Sequence, residues 1–276
     1  MTTDRLEEIE LRLLLDGILA VYGYDFRDYA EASLKRRVRH WLQAQPFTTL
    51  SLAQNAILRD RAVFSSFVAG ITVNVSEMFR DPEFFVALRK QVVPFLRTWP
   101  FIRIWVAGCS GGEEAYSLAI VLDEEGLLQR SRIYATDINE TILDRARDGI
   151  LPLAEMQKFT RNYQRAGGTR AFADYYTARY DRALLAGRLK ENILFTAHNL
   201  SVDADFGEMQ MILCRNVLIY FNRDLKNRVL DLFDRALTSG GFLCLGLKES
   251  LDGSSLTGLY PELSRGLRIY RKSYPD

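Results

Sequence analysis

Two carboxylates, Glu113 and Glu114, stand directly after a glycine turn, Gly108-Cys109-Ser110-Gly111-Gly112, and a third, Asp137, closes a short β-like run at 132–136. A glycine turn lets the backbone approach a ligand with no Cβ in the way. In a dinucleotide-binding loop the spacing is GxGxxG, and free helix N–H groups face a pyrophosphate. Here acidic residues occupy that place, which suits a cationic or hydroxyl-rich ligand and repels phosphate. No Lys-Ser/Thr pair closes the turn, so a P-loop is excluded too. S-adenosylmethionine, with a sulfonium, an ammonium and a ribose diol, has the matching chemistry. Asp137, at the tip of a second strand, is placed to hold the ribose hydroxyls. The structural alternative is that Asp137 or Asn139 caps the next helix, and the two roles are compatible.

The elements that must position these groups follow an α/β rhythm. Ile102, Ile104 and Val106 read as a short buried strand, and 113–125 as a helix stopped by Gly126. A helix is expected over 139–148, then a strand at 193–196 ending at His198-Asn199-Leu200. The apolar run 209–214 ends at Arg215-Asn216-Val217, a helix covers 222–237, a strand 242–247, and 259–271 forms a final hairpin. Strand ends carrying Gly108, Asp137, Asn199 and Asn216 would share the carboxyl edge of a parallel sheet, where α/β ligands bind. Residues 150–192, with Gly167-Gly168 and many Arg and Tyr, break the rhythm and read as a small antiparallel excursion. It is either a solvated hairpin or a partner-contact surface.

Residues 4 to about 95 read as helices. Leu6, Ile9, Leu13, Leu14 and Ile18 form an apolar stripe ended by Gly23, and a second helix over 29–43 turns Leu34, Val38, Trp41 and Leu42 inward. Its other positions hold Lys35, Arg36, Arg37 and Arg39, a run of one sign that is either a solvated face or a surface for an acidic partner. A further helix is expected over 50–67, broken at Gly70, and another over 82–96 with Asp81-Pro82 as its start. Between them Asn74, Ser76 and Arg80 lie among apolar residues, as a linker or as site residues. A net charge of +1 argues against a general nucleic-acid binder. Three scattered cysteines and two histidines build no recognised metal site or disulfide framework. The polar, acidic start and the lack of a long apolar run predict a cytoplasmic protein with no direct membrane insertion.

In order along nearly the whole chain, NVSEMFRDPEFF, VAGCSGGEEAYSLAI, ATDINETILDRARDGIL, and CRNVLIYF followed by a helix and SGGFLCLG resemble CheR-type chemotaxis-receptor glutamate O-methyltransferases. The resemblance implies an α/β protein: a Rossmann-like class I S-adenosylmethionine-dependent methyltransferase domain, an N-terminal all-helical domain and a small inserted antiparallel β-subdomain. On this chain that gives a helical domain and linker over 1–95 and a cofactor domain over 96–276, with the insertion at about 160–192. It implies methyl transfer from S-adenosyl-L-methionine to receptor glutamates, with S-adenosyl-L-homocysteine as product. By motif position the cofactor residues would be Asn74, Ser76, Arg80, Gly108, Glu113, Glu114, Asp137, Ile138, Asn199, Leu200, Asn216 and Val217. Arg80 and Tyr220 would stand on the substrate side of the methyl group. Lys35, Arg36, Arg37 and Arg39 would meet the cytoplasmic helical region of a membrane chemoreceptor, and the β-subdomain is a candidate for a receptor's C-terminal peptide.

Relatives carry Gly-x-Ser-Glu after the fifth strand, where this chain has Gly246-Leu247-Lys248-Glu249. Ser76 stands for a usual threonine and keeps the hydroxyl. With no fused repeat or receiver segment, the chain reads as the stand-alone form. The lysine opens one alternative, a non-catalytic adaptor that binds cofactor and receptor. A methyltransferase for another substrate is a second; the Asp/Asn-Pro-Pro-Tyr/Phe turn of nucleic-acid amino methylases is missing from Asn216-Val217-Leu218-Ile219.

Overall fold

The computed structural model describes residues 3–274; Met1, Thr2, Pro275 and Asp276, at the ends of the two expected domains, lie outside the described residues. Four helices open the chain: α1 (Thr3–Tyr22), α2 (Glu31–Gln43), α3 (Leu50–Arg59) and α4 (Arg61–Ile71). Their shared core includes Leu14, Ile18, Phe26, Leu34, Val38, Trp41, Ile57 and Phe67. The buried stripe of α1 is Leu11, Leu14, Leu15 and Ile18, a tight i, i+3, i+4, i+7 set, whereas Leu6 and Leu13 are 43% and 51% exposed. The expected stripe is therefore rotated by part of a turn.

The expected helix over 50–67 is two helices. Asp60 is extended and its carboxylate accepts from Ala62 N–H, so it starts α4 rather than continuing α3. Gly70 is no breaker either, because α4 runs through it to Ile71. A Cβ there would lie 2.4 Å from the Trp41 ring, so this glycine permits close helix packing. The helix expected over 82–96 is α5 (Pro82–Ala87), a π turn over Leu88–Val92, and α6 (Val93–Leu96). Pro94 has no N–H to donate, and Val93 N–H reaches back five residues to Leu88 O.

The second domain is built on a seven-stranded sheet. Its elements are β1 (Ile102–Ala107), α7 (Glu113–Glu124), β2 (Ser131–Asp137), α8 (Glu140–Asp148), β3 (Ile150–Pro152), α9 (Met156–Arg165), β4 (Tyr176–Arg179), β5 (Arg182–Leu185), α10 (Gly187–Lys190), β6 (Ile193–Ala197), β7 (Met209–Cys214), α11 (Arg223–Ala236), β8 (Leu237–Leu245), β9 (Glu262–Ser264) and β10 (Ile269–Arg271). The large sheet runs β6-β2-β1-β7-β8-β10-β9. The first five of these pair in parallel, and β10 is antiparallel to both β8 and β9. Strand order reverses beside β1, which is the switch point where such sheets open a crevice for ligands. This is the Rossmann-like methyltransferase architecture.

The excursion is a separate three-stranded antiparallel sheet, β3-β5-β4. It takes its first strand from Ile150–Pro152, ahead of residue 160, and carries α9 within it. Tyr163 and Phe172 pack against Phe79, and Tyr175 packs against Tyr163. Buried Glu124 on α7 accepts from Tyr163 Oη, from the Arg89 guanidinium and, at 2.9 Å, from Thr169 N–H. The helical domain meets the sheet domain through a short antiparallel contact. Ala30 N–H donates to Tyr220 O and Asn222 N–H to Asp28 O, each at 2.8 Å, with Tyr29 packed edge-on against Phe221.

Candidate active site

The carboxyl ends of β1, β2, β6 and β7 open into one cleft, and the segment between α4 and α5 closes its far side. Asn74, Ser76, Arg80, Gly108, Glu114, Asp137, Ile138, Asn199, Leu200, Asn216, Val217 and Tyr220 all line it. The space, mouth included, is about 1030 Å³. That is at the upper end of roughly 300–1,000 Å³ for small-molecule sites. Of the expected cofactor residues Glu113 is not on the wall.

The β1 turn is shaped by backbone needs. Gly108 and Cys109 N–H both donate to Thr136 O at 2.8 Å, which folds the turn over the end of β2. Gly108 has φ +74°, and a Cβ there would come within 2.4 Å of a Val217 methyl. A side chain at this position is excluded twice, by conformation and by contact.

Asp137 follows at the tip of β2. Its two oxygens accept from Ser110 N–H at 2.9 Å and Asn139 N–H at 3.0 Å. The helix cap belongs to Asn139, whose side-chain oxygen accepts from Thr141 and Ile142 N–H. Each Asp137 oxygen keeps a further lone pair for a ligand hydroxyl. Burial raises its pKa above the ordinary range, opposed by the N–H donors of Asn139, Ser110 and Ile138.

The two adjacent glutamates have different environments. Glu114 lines the cleft and accepts from Arg215 Nη1 at 2.5 Å. Glu113 lies behind Gly111 and bonds to Ser76, while its Oε2 is buried without a partner. Burial raises its pKa as well. Glu114 and Asp137 thus give the cleft a carboxylate wall that gains from a positive or hydroxyl-bearing ligand, with Glu113 set behind it.

Arg80 is delivered by a strained backbone. Phe79 and Asp81 on either side of it have φ of +52° and +55°, a region costly for side-chain-bearing residues. The strain is held from outside. Phe79 N–H donates to Ser117 Oγ at 2.9 Å, its ring is fully buried against Phe85 and Tyr163, and Asp81 accepts from Arg215 Nη2 at 2.8 Å. The Arg80 side chain itself, among the described residues, makes no hydrogen bond or ion pair, and it faces the cleft. Two more left-handed non-glycine residues, Ser110 and Asn216, also lie on this wall.

Two residues that hold the site were not singled out from the sequence. Arg215, at the end of β7, is 6% exposed and ties Glu114 to Asp81, with its guanidinium 4.1 Å above the Phe84 ring. Glu249 accepts from Asn216, Val217, Ile219 and Gly246 N–H at 2.6–3.2 Å, fixing the loop after β7. A charged residue at the end of an apolar strand was the available signal for Arg215. Lys248, beside Glu249, is exposed and is not among the cleft-lining residues.

The α2 cations divide. Arg37 reaches the cleft, whereas Lys35 pairs with Glu8 and Glu31, and Arg39 with Glu7. Arg36 is exposed and, among the described residues, forms no ion pair. The single-sign run in sequence is thus partly balanced by acids from α1.

The cleft also presents buried polar atoms with no protein partner: Ser110 Oγ, His198 Nδ1 and Asn199 Nδ2. Such orphans are costly unless a ligand or water meets them. A carboxylate-lined wall, orphaned polar atoms and a sheet switch point fit an S-adenosylmethionine-dependent methyltransferase. The chain belongs to the CheR methyltransferase family: its SAM-binding domain matches residues 74–260 and its all-alpha domain residues 9–72. Among its relatives is the putative methyltransferase Cher3 of Pseudomonas putida, 50% identical over 273 residues, 99% of this chain and 100% of that one. The chemotaxis protein methyltransferase of Listeria monocytogenes is 30% identical over 83% of this chain and 85% of its own. Chemotaxis protein methyltransferase 1 of Vibrio cholerae is 34% identical over 71% of each. Among the described residues no helix is long and apolar enough to cross a membrane.

Proposed function

We propose that the protein methylates glutamate side chains in the cytoplasmic helical region of chemoreceptors, or of related sensory receptors, giving γ-glutamyl methyl esters. The observation that carries this is Arg80, a cation with no protein partner, facing the same cleft as the cofactor wall. A cation there suits a carboxylate acceptor and would repel a cationic one. The cofactor, when bound, supplies a methyl group on a positively charged sulfur.

The protein's own task is then alignment. A glutamate carboxylate is ionised at neutral pH, so no general base is required. Arg80 holds the acceptor oxygen by a charge-assisted hydrogen bond, and Tyr220 bounds the same space. Asp137 takes the ribose hydroxyls, and Glu114 with Asn199 and the Asn216-Val217 loop takes the remaining polar groups. Good alignment is worth up to about 7–11 kcal/mol of barrier. Lys248 touches none of these groups, which disfavours the adaptor alternative.

Receptor docking is assigned to α2, where Arg36 is available and Lys35 and Arg39 would exchange α1 glutamates for receptor ones. In the β-subdomain β4 is an edge strand, open to an added strand from a receptor's C-terminal peptide. Incubation with methyl-labelled S-adenosylmethionine and receptor-enriched membranes tests the whole reading. Label should enter receptor bands and be released by mild alkali, as esters are. No incorporation, or alkali-stable label, would overturn it.

A further inference from the structure

Lys248, the departure from the family's serine, lines a separate cleft with Arg223 and Lys226 at the start of α11. These three cations, among the described residues, form no ion pair. Arg228, one helical turn along α11 from Asp224, is by contrast neutralised by Asp28. Of the two carboxylates at this cleft, Glu249 turns inward and its oxygens are taken by four backbone N–H groups, which leaves Asp252 to oppose three cations. The cleft therefore presents excess positive charge.

Its position matters more than its charge. The floor includes Leu218, and the wall includes Glu249, which holds the 216–219 loop whose other side faces the cofactor cleft. Exposed apolar residues, Ile219 at 36% and Leu247 at 40%, adjoin Leu218 and Lys248 in the chain. Cations interleaved with apolar groups match an amphipathic helix that carries carboxylates, the chemistry of the substrate already proposed.

We infer that the Arg223–Lys226–Lys248 cleft docks acidic residues of the substrate helix that flank the glutamate under methylation, and so selects among receptors by their charge. This rests on the glutamate-methylation reading for the identity of the occupant. Each exposed contact contributes little alone, but three acting together raise encounter rate and apparent affinity.

The test is fluorescence anisotropy of a labelled, glutamate-rich amphipathic peptide with the full chain, run beside methyl-transfer kinetics. R223E/K226E/K248E should raise the peptide Kd and KM about tenfold at low salt, ~1.4 kcal/mol, and leave the affinity for S-adenosylhomocysteine unchanged. The two proteins should converge near 1 M salt, where the Debye length is about 3 Å. R223Q/K226Q/K248Q should show a smaller rise in the same direction. Unchanged Kd and KM in the folded reversal variant overturn the docking site while leaving methylation intact. Peptide binding that depends on the three cations, with no methyl accepted, keeps the docking site and overturns the glutamate reading. Inorganic phosphate displacing the peptide far better than chloride at equal ionic strength would make this a small-anion site and overturn the peptide assignment.

Discussion

The Arg37 guanidinium, carried by the helical domain, lies 4.5 Å from the centroid of the Tyr220 ring, carried by the methyltransferase domain. Its Nη1 donates to Ile71 O at 2.6 Å and its Nη2 to Ser33 Oγ at 2.7 Å. The planar fork is therefore spent inside the protein, and the remaining face meets the aromatic ring. Tyr220 O in turn accepts from Ala30 N–H. The helical domain thus fixes Tyr220, the residue proposed to bound the acceptor's space, from both backbone and ring.

Arg37 is accordingly expected to act on turnover more than on receptor affinity. A partly desolvated cation–π contact is worth about 0.5–2 kcal/mol. Arg37→Ala should lower kcat about tenfold, ~1.4 kcal/mol, with a smaller change in receptor KM. Arg37→Lys should recover only part, because it lacks the fork. A KM increase with unchanged kcat would return Arg37 to the receptor-docking face.

Arg80 gives the sharpest separation of chemistry from structure. Bracing of the two cleft walls is done by Arg215, through Glu114 and Asp81, and not by Arg80. Arg80→Lys should cut single-turnover methylation at least about tenfold, ~1.4 kcal/mol, and Arg80→Ala further, with Tm unchanged in both. Arg215→Met should instead lower Tm by several degrees, since it leaves partly buried Glu114 and Asp81 without their cation. Equal Tm losses in the Arg80 and Arg215 variants would make Arg80 structural.

Most of the wall was legible because its parts are local. Gly108 needs a positive φ, Asp137 ends a strand, and Asn199 and Asn216 follow apolar runs of strand length. Long-range dependence hid the rest. Glu249 matters only because the loop after β8 folds under the loop after β7, some thirty residues earlier. Gly70 looks like a breaker until Trp41 is seen against it. The α2 cations read as one positive face because their partners, Glu7 and Glu8, lie on another helix. Glu113 and Glu114 are indistinguishable by type; only the register of α7 turns Glu114 to the cleft.

Glu249 should be a stability residue with a functional consequence. Glu249→Ala leaves four loop N–H groups without an acceptor, each costing about 1–3 kcal/mol where water cannot reach. A fall in Tm together with at least about tenfold weaker S-adenosylhomocysteine binding, ~1.4 kcal/mol, is expected by calorimetry. Lys248→Ser, next in sequence, should change neither. Unaltered cofactor affinity in Glu249→Ala would show that the 216–219 loop keeps its shape without it.

The last expectation follows from the raised pKa of Glu113. Its carboxyl is largely buried, with Ser76 as partner and Oε2 unpaired, so burial disfavours the charged form. A folded-state pKa above the unfolded value, about 4.3 for glutamate, means that the stabilising contribution is fully present below that value. It is lost as pH rises through the folded value. Glu113→Gln keeps the shape and removes the ionisation. Without ligand, its Tm should exceed that of wild type above this window, and the gap should close toward pH ~4. With the cofactor present the order should stay the same, because Glu113 lies off the cleft wall and does not meet the ligand. Thermal unfolding from pH 4 to 8, with and without saturating S-adenosylmethionine, reads both halves. A Glu113→Gln protein less stable than wild type at pH 7 without ligand would mean that the charge is satisfied inside the protein, and a reversal of the order on adding cofactor would mean that Glu113 does face the ligand.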